Sequence, residues 1–295
     1  MSTRNGGPAG HLGHTDTITV VQLTDTHLRA EGELVHGSID THANLLAVLD
    51  RLAVARRPVD AIVLSGDLAD NGAPQAYRRL RAAVEPVADA LGARIVYVMG
   101  NHDERSAFGE ELLGRTVDPD LPLDSVVDVA GLRIIALDST IPGHHHGRLS
   151  EQQLAWLAEV LSTPAPRGTL LALHHPPVPS PIPGPDFLRL EHPDLLASAL
   201  AGSDVGMIVC GHNHLTGAAA LAGIPVWVAP ALSYRIDTLA PQGRHRGVVG
   251  FGFTRIDVLG SGMVATAVEA TAATTVYDRP EQEVLDQLAA LAERR

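Results

Sequence analysis

Five short apolar runs in this chain each stop at a polar, ligand-capable cluster, and that repetition limits the folds open to it. In the sharpest case residues 94–99 are apolar and β-branched after Arg94, Gly100 ends the run, and Asn101, His102 and Asp103 follow at once. Ile18–Leu23 ends in Thr24-Asp25-Thr26-His27, and residues 61–64 end in Ser65-Gly66-Asp67. Thr169–Leu173 ends in His174-His175-Pro176, and Val205–Cys210 in Gly211-His212-Asn213-His214. Near-continuous apolar runs are what strands buried on both faces of a parallel sheet require. Such strands deliver their loops to the carboxyl edge, where ligands of open α/β folds bind.

Helical patterns separate these runs. Residues 39–56 carry Leu45, Leu46, Val48, Leu49 and Leu52 as an apolar face and stop at Pro58, and Pro74–Leu91 is a second helix. This βαβαβ rhythm predicts an α/β fold with a parallel sheet and helical crossovers. A short helix is expected over residues 105–113, paired strands at Ser125–Val129 and Leu132–Leu137, and a helix over residues 150–161 with Ser150 as N-cap. Six prolines between Pro176 and Pro185 predict a stiff loop with no secondary structure, well placed to wall a pocket. Residues 224–229, 250–258 and 263–268 read as strands, so the β-rich second half predicts another sheet packed on the first. With no repeat and no linker, residues 17–278 form one domain, residues 1–16 a flexible tail and residues 279–295 a C-terminal amphipathic helix.

Charge narrows the chemistry. The net charge is −12 and all 22 basic residues are arginine. No basic stripe is present, so a nucleic acid duplex is not an expected partner. Without lysine, Schiff-base chemistry and the P-loop lysine are excluded. An acidic chain of this kind that binds phosphate needs another source of positive charge, and a metal ion supplies it. No window reaches the ~18 apolar residues of a membrane helix, and residues 1–16 have no apolar signal core. Cytoplasm is therefore the expected compartment. Cys210, the one cysteine, cannot form an internal disulfide and reads as an inert core thiol.

The run ends together offer Asp25, His27, Asp67, Asn101, His174, His212 and His214. Asp25 and His27 are two apart, so in extended backbone they share a face and grip one ion. Seven ligands are too many for one metal and suit two that share a bridge. Mixed carboxylate, amide and imidazole donors fit two divalent ions such as Mn²⁺, Fe²⁺ (or Fe³⁺), Zn²⁺ or Co²⁺. Two such ions roughly 3.5–4 Å apart clamp the attacking and leaving oxygens of an in-line phosphoryl displacement. With both carboxylates and a bridging hydroxide the centre keeps a net positive charge, which attracts a phosphodiester anion.

In this order Asp-x-His, Gly-Asp, Gly-Asn-His-Asp, His-x-Pro and Gly-His-x-His resemble the calcineurin-like metallophosphoesterases across residues 20–215. More narrowly, residues 97–103, 142–147 and 173–177 resemble the actinobacterial class III cyclic nucleotide phosphodiesterases. The resemblance implies an α/β sandwich of two mixed sheets flanked by helices, a dinuclear centre and a homodimer. It implies that Asp25, His27 and His214 hold one metal, that Asp67 bridges, and that Asn101, His174 and His212 hold the other. His102 is then no ligand but the catalytic histidine at the phosphoryl group, and Asn101, His102 and His212 contact substrate. The implied reaction is hydrolysis of 3′,5′-cAMP, with 2′,3′-cyclic nucleotides also in range, by a metal-bridging hydroxide. Glycerophosphodiesters or other small phosphoesters are the alternative. Other polar residues carry structural expectations. His144, His145 and His146 form a solvated loop, His175 supports the site from behind, Asp103 orients His102 or caps the next helix, and Asp70 closes a turn.

Overall fold

The computed structural model describes residues 17–260, 262–271 and 274–292, so the tail expected over residues 1–16 lies outside the described residues. The chain runs β1 (Ile18–Leu23), α1 (Thr41–Ala55), β2 (Ala61–Ser65), α2 (Pro74–Leu91), β3 (Arg94–Val98) and α3 (Arg105–Glu111). Next come β4 (Ser125–Val129), β5 (Leu132–Leu137), α4 (Glu151–Leu161), β6 (Thr169–Leu173), α5 (Pro183–Phe187), α6 (Pro193–Ala199) and β7 (Val205–Cys210). The last part holds β8 (Gly217–Leu221), β9 (Ile224–Val228), β10 (Arg235–Ile236), β11 (Gly247–Val248), β12 (Gly252–Leu259), β13 (Gly262–Glu269) and α7 (Glu281–Ala292).

Two mixed sheets face each other. One has the order β13-β12-β1-β2-β3 and the other β4-β5-β6-β7-β9-β8. In the first, β1, β2 and β3 are parallel, and in the second β5, β6, β7 and β9 are parallel. Side chains alternate between faces along each strand. Val20, Val63, Val96, Ile134, Leu170 and Val209 meet between the sheets. Their neighbours Val21 and Ile62 pack outward under α1 and α2, and Leu171 and Ile208 under α4 and α6. That two-sided burial is why the runs show no polar alternation. Each such side chain contributes roughly 1.5–3 kcal/mol on leaving water.

The second half does not build its own sheet alone. β12 pairs antiparallel with β1, and β13 pairs with β12, so these strands extend the first sheet. The proline-rich stretch is also not wholly irregular, since α5 begins at Pro183. Pro183 and Pro185 occupy the first turn, whose N–H groups have no acceptor inside the helix, so proline costs little there. Asp40 caps α1 by accepting from Ala43 N at 3.0 Å, which moves its start to Thr41. Ser150 and Gln153 form the expected cap of α4 reciprocally. Cys210 is fully buried, and burial pushes its thiol pKa up. Among the described residues no helix is long and apolar enough to cross a membrane.

Candidate active site

β1, β2 and β3 end at one edge of the first sheet, and the loops after β6 and β7 close on them from the second. Gln22 in β1 donates from Nε2 to Ser65 Oγ at 2.8 Å and to the Cys210 carbonyl at 3.1 Å, tying both sheets just below the loops. Asp25 N donates to the Gly66 carbonyl (3.0 Å) and His27 N to the Asp67 carbonyl (2.9 Å), so the first two loops run side by side. From the other sheet, His212 N donates to the Asp25 carboxylate at 3.1 Å.

The backbone here is unusual. Asp25 (φ 51°), His27 (43°), Asp67 (50°), His212 (70°) and His214 (49°) all lie in the left-handed region. Each such non-glycine residue costs of order 1–3 kcal/mol and persists only where its surroundings hold it. Asp25 and His27 therefore do not share a face through the pleat of an extended strand. They lie beyond the end of β1 and are brought together by left-handed turns. Close approach needs two glycines: a Cβ at Gly100 would run into the Asp67 backbone and carboxylate, and one at Gly211 into Thr24 and Asp25.

Six of the seven expected ligands fall into two triads whose donor atoms lie within 4.8 Å of one another: Asp25, His27 and His214, then Asp67, His174 and His212. Asn101 lines the same cavity as His27, Asp67, His102, His212 and His214. Its Oδ1 is buried with no hydrogen-bond partner.

Hydrogen bonds fix the ring tautomers. His27 Nδ1 donates to Asp70 Oδ1 at 3.0 Å, His214 Nδ1 to the Tyr234 carbonyl at 3.0 Å, and His174 Nδ1 to the Ser65 carbonyl at 2.9 Å. In the neutral rings each Nε2 is then a bare lone pair. Yet His27 Nε2 and His214 Nε2 face each other at 3.1 Å, and His174 Nε2 faces Asp67 Oδ2 at 3.2 Å. His212 Nδ1 is also buried without a hydrogen-bond partner, whereas in the metal-free site His174 Nε2 carries its proton toward Asp67. Nitrogens and carboxylates converging like this repel unless a proton or a metal ion sits between them. A pair of cations fits this donor set.

The titration behaviour agrees. Burial works against a charged His174 ring, but the Asp67 and Asp25 carboxylates outweigh it and hold the ring up at about 9. Burial also opposes a charged Asp67, yet His174, His27 and His102 hold its carboxyl well below the usual range. Burial and the charge of His174 push His212 down to about 3, and burial and His27 do the same to His214. Those two rings are thus neutral donors at pH 7.

His102 N donates to Asp67 Oδ1 at 2.8 Å, and its Nδ1 donates to the Asp70 carbonyl at 2.8 Å. Its ring meets His27 edge-on at 4.8 Å. Asp103 does neither thing expected of it. Its carboxylate accepts from Leu68 N, Ala69 N, Gly100 N and Tyr77 Oη, bracing the Asp67 loop, and Glu104 caps α3. His175 is buried behind the site, bonded to Ser139 Oγ and the His145 carbonyl. In the exposed loop, His145 Nδ1 lies 3.2 Å from Asn101 Nδ2. Gly184 and Pro185 line the cavity, so the proline-rich segment does wall it.

Asp70, expected from the sequence only to close a turn, is instead a partner of a site histidine. It holds His27 by Nδ1 and pairs with Arg29. Burial opposes its charge, but His27 and Arg29 bring its pKa down to about 2. Its position three residues after Asp67 was the available signal. Carboxylate partners of ligating histidines affect metal affinity by about 10–100-fold. Asp70→Ala is therefore expected to weaken metal binding by about that factor in a calorimetric titration, with the far-UV circular dichroism unchanged.

Residues 18–215 match the calcineurin-like phosphoesterase family model. A probable cyclic nucleotide phosphodiesterase of Rhodococcus erythropolis is 46% identical over 228 residues, 77% of this chain and 75% of that protein. A cAMP/cGMP dual specificity phosphodiesterase of Mycobacterium tuberculosis is 46% identical over 229 residues, 77% of this chain and 71% of that protein. Among solved structures, a dimetal phosphatase from Danio rerio shares the fold with a TM-score of 0.60 at 17% identity, covering 88% of this chain and 98% of that one. With the family pattern matched over two thirds of its length and the strand-end residues gathered at one edge, the chain belongs to the calcineurin-like phosphoesterases.

Proposed function

We propose that this chain is a dinuclear-metal phosphodiesterase of cyclic nucleotides, with 3′,5′-cAMP the leading substrate. The observation that carries the dimetal reading is the pair of adjoining donor triads, Asp25, His27 and His214 and then Asp67, His174 and His212, each with its ligand atoms within 4.8 Å of one another. The nucleotide preference is supported by two relatives at 46% identity named for it.

Asp25, His27 and His214 would hold one cation, and Asn101, His174 and His212 the other, with Asp67 shared. Imidazole, amide and carboxylate donors suit Mn²⁺, Fe²⁺, Zn²⁺ or Co²⁺. Bound there, such a pair supplies Lewis-acid charge for the phosphoryl oxygens and lowers the pKa of a water nucleophile. The chain's own residues do the rest. Asp70 and the Tyr234 and Ser65 carbonyls fix His27, His214 and His174 with Nε2 inward. Asn101, His102 and His212 line the cavity where the phosphate would sit. With Nδ1–H held by the Asp70 carbonyl, His102 keeps its Nε2 for the leaving oxygen.

A panel of 3′,5′- and 2′,3′-cyclic nucleotides, glycerophosphodiesters and p-nitrophenyl phosphate tests the reading on metal-loaded protein. The highest kcat/KM is expected for 3′,5′-cAMP. A preference for p-nitrophenyl phosphate would replace the diesterase reading with a monoesterase.

A further inference from the structure

Two cavities meet at this site. The first, of about 270 Å³, carries Asp67, Asn101, His102 and His212. The second, of about 480 Å³, shares His36, Tyr234, Ile236 and His245 with it. Beyond those four it is lined by Ser38, Ile39, Gly247, Val248 and Val249, with no Asp, Glu or Arg. The carboxylate-bearing cavity and its carboxylate-free neighbour thus have different chemistry.

The wall between them is largely the β10–β11 hairpin, which belongs to neither large sheet. It is tied to the site: Ile236 N donates to the His214 carbonyl at 2.7 Å. It is closed across its base by Asp237 N donating to the Arg246 carbonyl at 2.8 Å and by the Arg246–Asp237 ion pair. Tyr234, just before β10, meets the His36 ring edge-on at 5.0 Å. On the other side His245 reaches α5, where a Cβ on Gly184 would lie 3.7 Å from its Cε1. The hairpin, the His36 loop and α5 therefore converge on the mouth of the second cavity.

We propose that this hairpin is the specificity element for the substrate's alcohol side, and that the base of a nucleoside phosphodiester lies in the second cavity against Tyr234, His36 and His245. This rests on the cyclic nucleotide reading above. A phosphate with small alcohol groups is accommodated by the first cavity alone, whereas the two together reach the size usual for a drug-sized ligand. Flat rings and aliphatic side chains suit a heteroaromatic plane, which binds such surfaces by stacking. A cationic headgroup would find no carboxylate partner there among the lining residues. Because stacking tolerates any base, discrimination among bases is expected to be small.

The test uses the full-length, metal-loaded protein and the variants His36→Ala, His245→Ala and their double, both positions being exposed. The readout is the ratio of kcat/KM for 3′,5′-cAMP to that for glycerophosphoethanolamine. The double variant should lower that ratio on the order of tenfold, chiefly through KM for cAMP. An unchanged ratio, or an equal loss on both substrates, would overturn the base subsite and leave the phosphodiesterase reading intact. Wild-type protein that cleaves glycerophosphoethanolamine but no cyclic nucleotide would overturn the reading beneath it, and the subsite with it.

Discussion

Asp67→Asn should lower kcat by about 10³-fold or more while the protein stays folded, because the several kcal/mol a metal pair contributes to the transition state depends on this carboxylate. Asp67 Oδ2 lies 3.2 Å from His174 Nε2 and 3.6 Å from His27 Nε2, so it reaches the histidines of both triads. Asparagine keeps an oxygen for His102 N, which donates to Oδ1 at 2.8 Å. In place of Oδ2 it puts an N–H₂ that donates to the lone pair on His174 and removes the negative charge. The metal-free variant therefore loses the His174–Asp67 ion pair and should melt somewhat below metal-free wild type near neutral pH while still unfolding cooperatively. Steady-state turnover with one metal equivalent series and a thermal melt in chelator check both halves. Turnover near wild type in the variant would show that Asp67 is not shared between two cations.

Removing the cations should abolish turnover and also destabilise the protein. A ligand bound only to the native state at about 100 times its Kd contributes about 2.7 kcal/mol, which for a chain of this size moves Tm by roughly 4–5 °C. Chelator should lower Tm by that amount in wild type, re-addition of Mn²⁺ or Zn²⁺ should restore it, and Asp67→Asn should show a much smaller shift. The metal must also displace a proton from His174, whose ring is held up at about 9. Apparent affinity of the site that holds His174 should then rise by up to about tenfold per pH unit as pH approaches 9, with about one proton released per pair of metals bound. In the metal-free protein the sign is opposite. His174 has a folded pKa above its ordinary 6.5, so it stabilises the fold fully below 6.5 and loses that contribution as pH rises through about 9. Chelated protein should therefore become less stable from pH 7 to 9. A flat Tm across that range would show that His174 carries no such proton.

The strand ends were legible because parallel strands buried on both faces leave apolar runs that stop abruptly, and the polar residues after them have few purposes other than chemistry. All seven expected ligands sit at such stops, and the structure gathers them at one edge. The boundaries of β4, β5, β6 and β7 follow directly from where those runs begin and end. α6 and β8 were not legible: α6 is only seven residues long, and β8 is Gly-Ala-Ala-Ala-Leu, an edge strand with no apolar alternation to betray it. The β10–β11 hairpin left no trace either, as its strands are two residues each and exist through pairing alone.

The chain alone settles which donor atoms are available and in what order they are strung, since side-chain chemistry and strand periodicity are local properties. Folding decided how those atoms meet. Asp25 and His27 adopt left-handed turns that no local preference would choose, because contacts from two sheets hold them there. Asp103 became a brace and Asp70 a partner of His27 because loops remote in sequence were laid side by side. Those outcomes depend on distances across the sandwich, which a one-dimensional pattern does not encode.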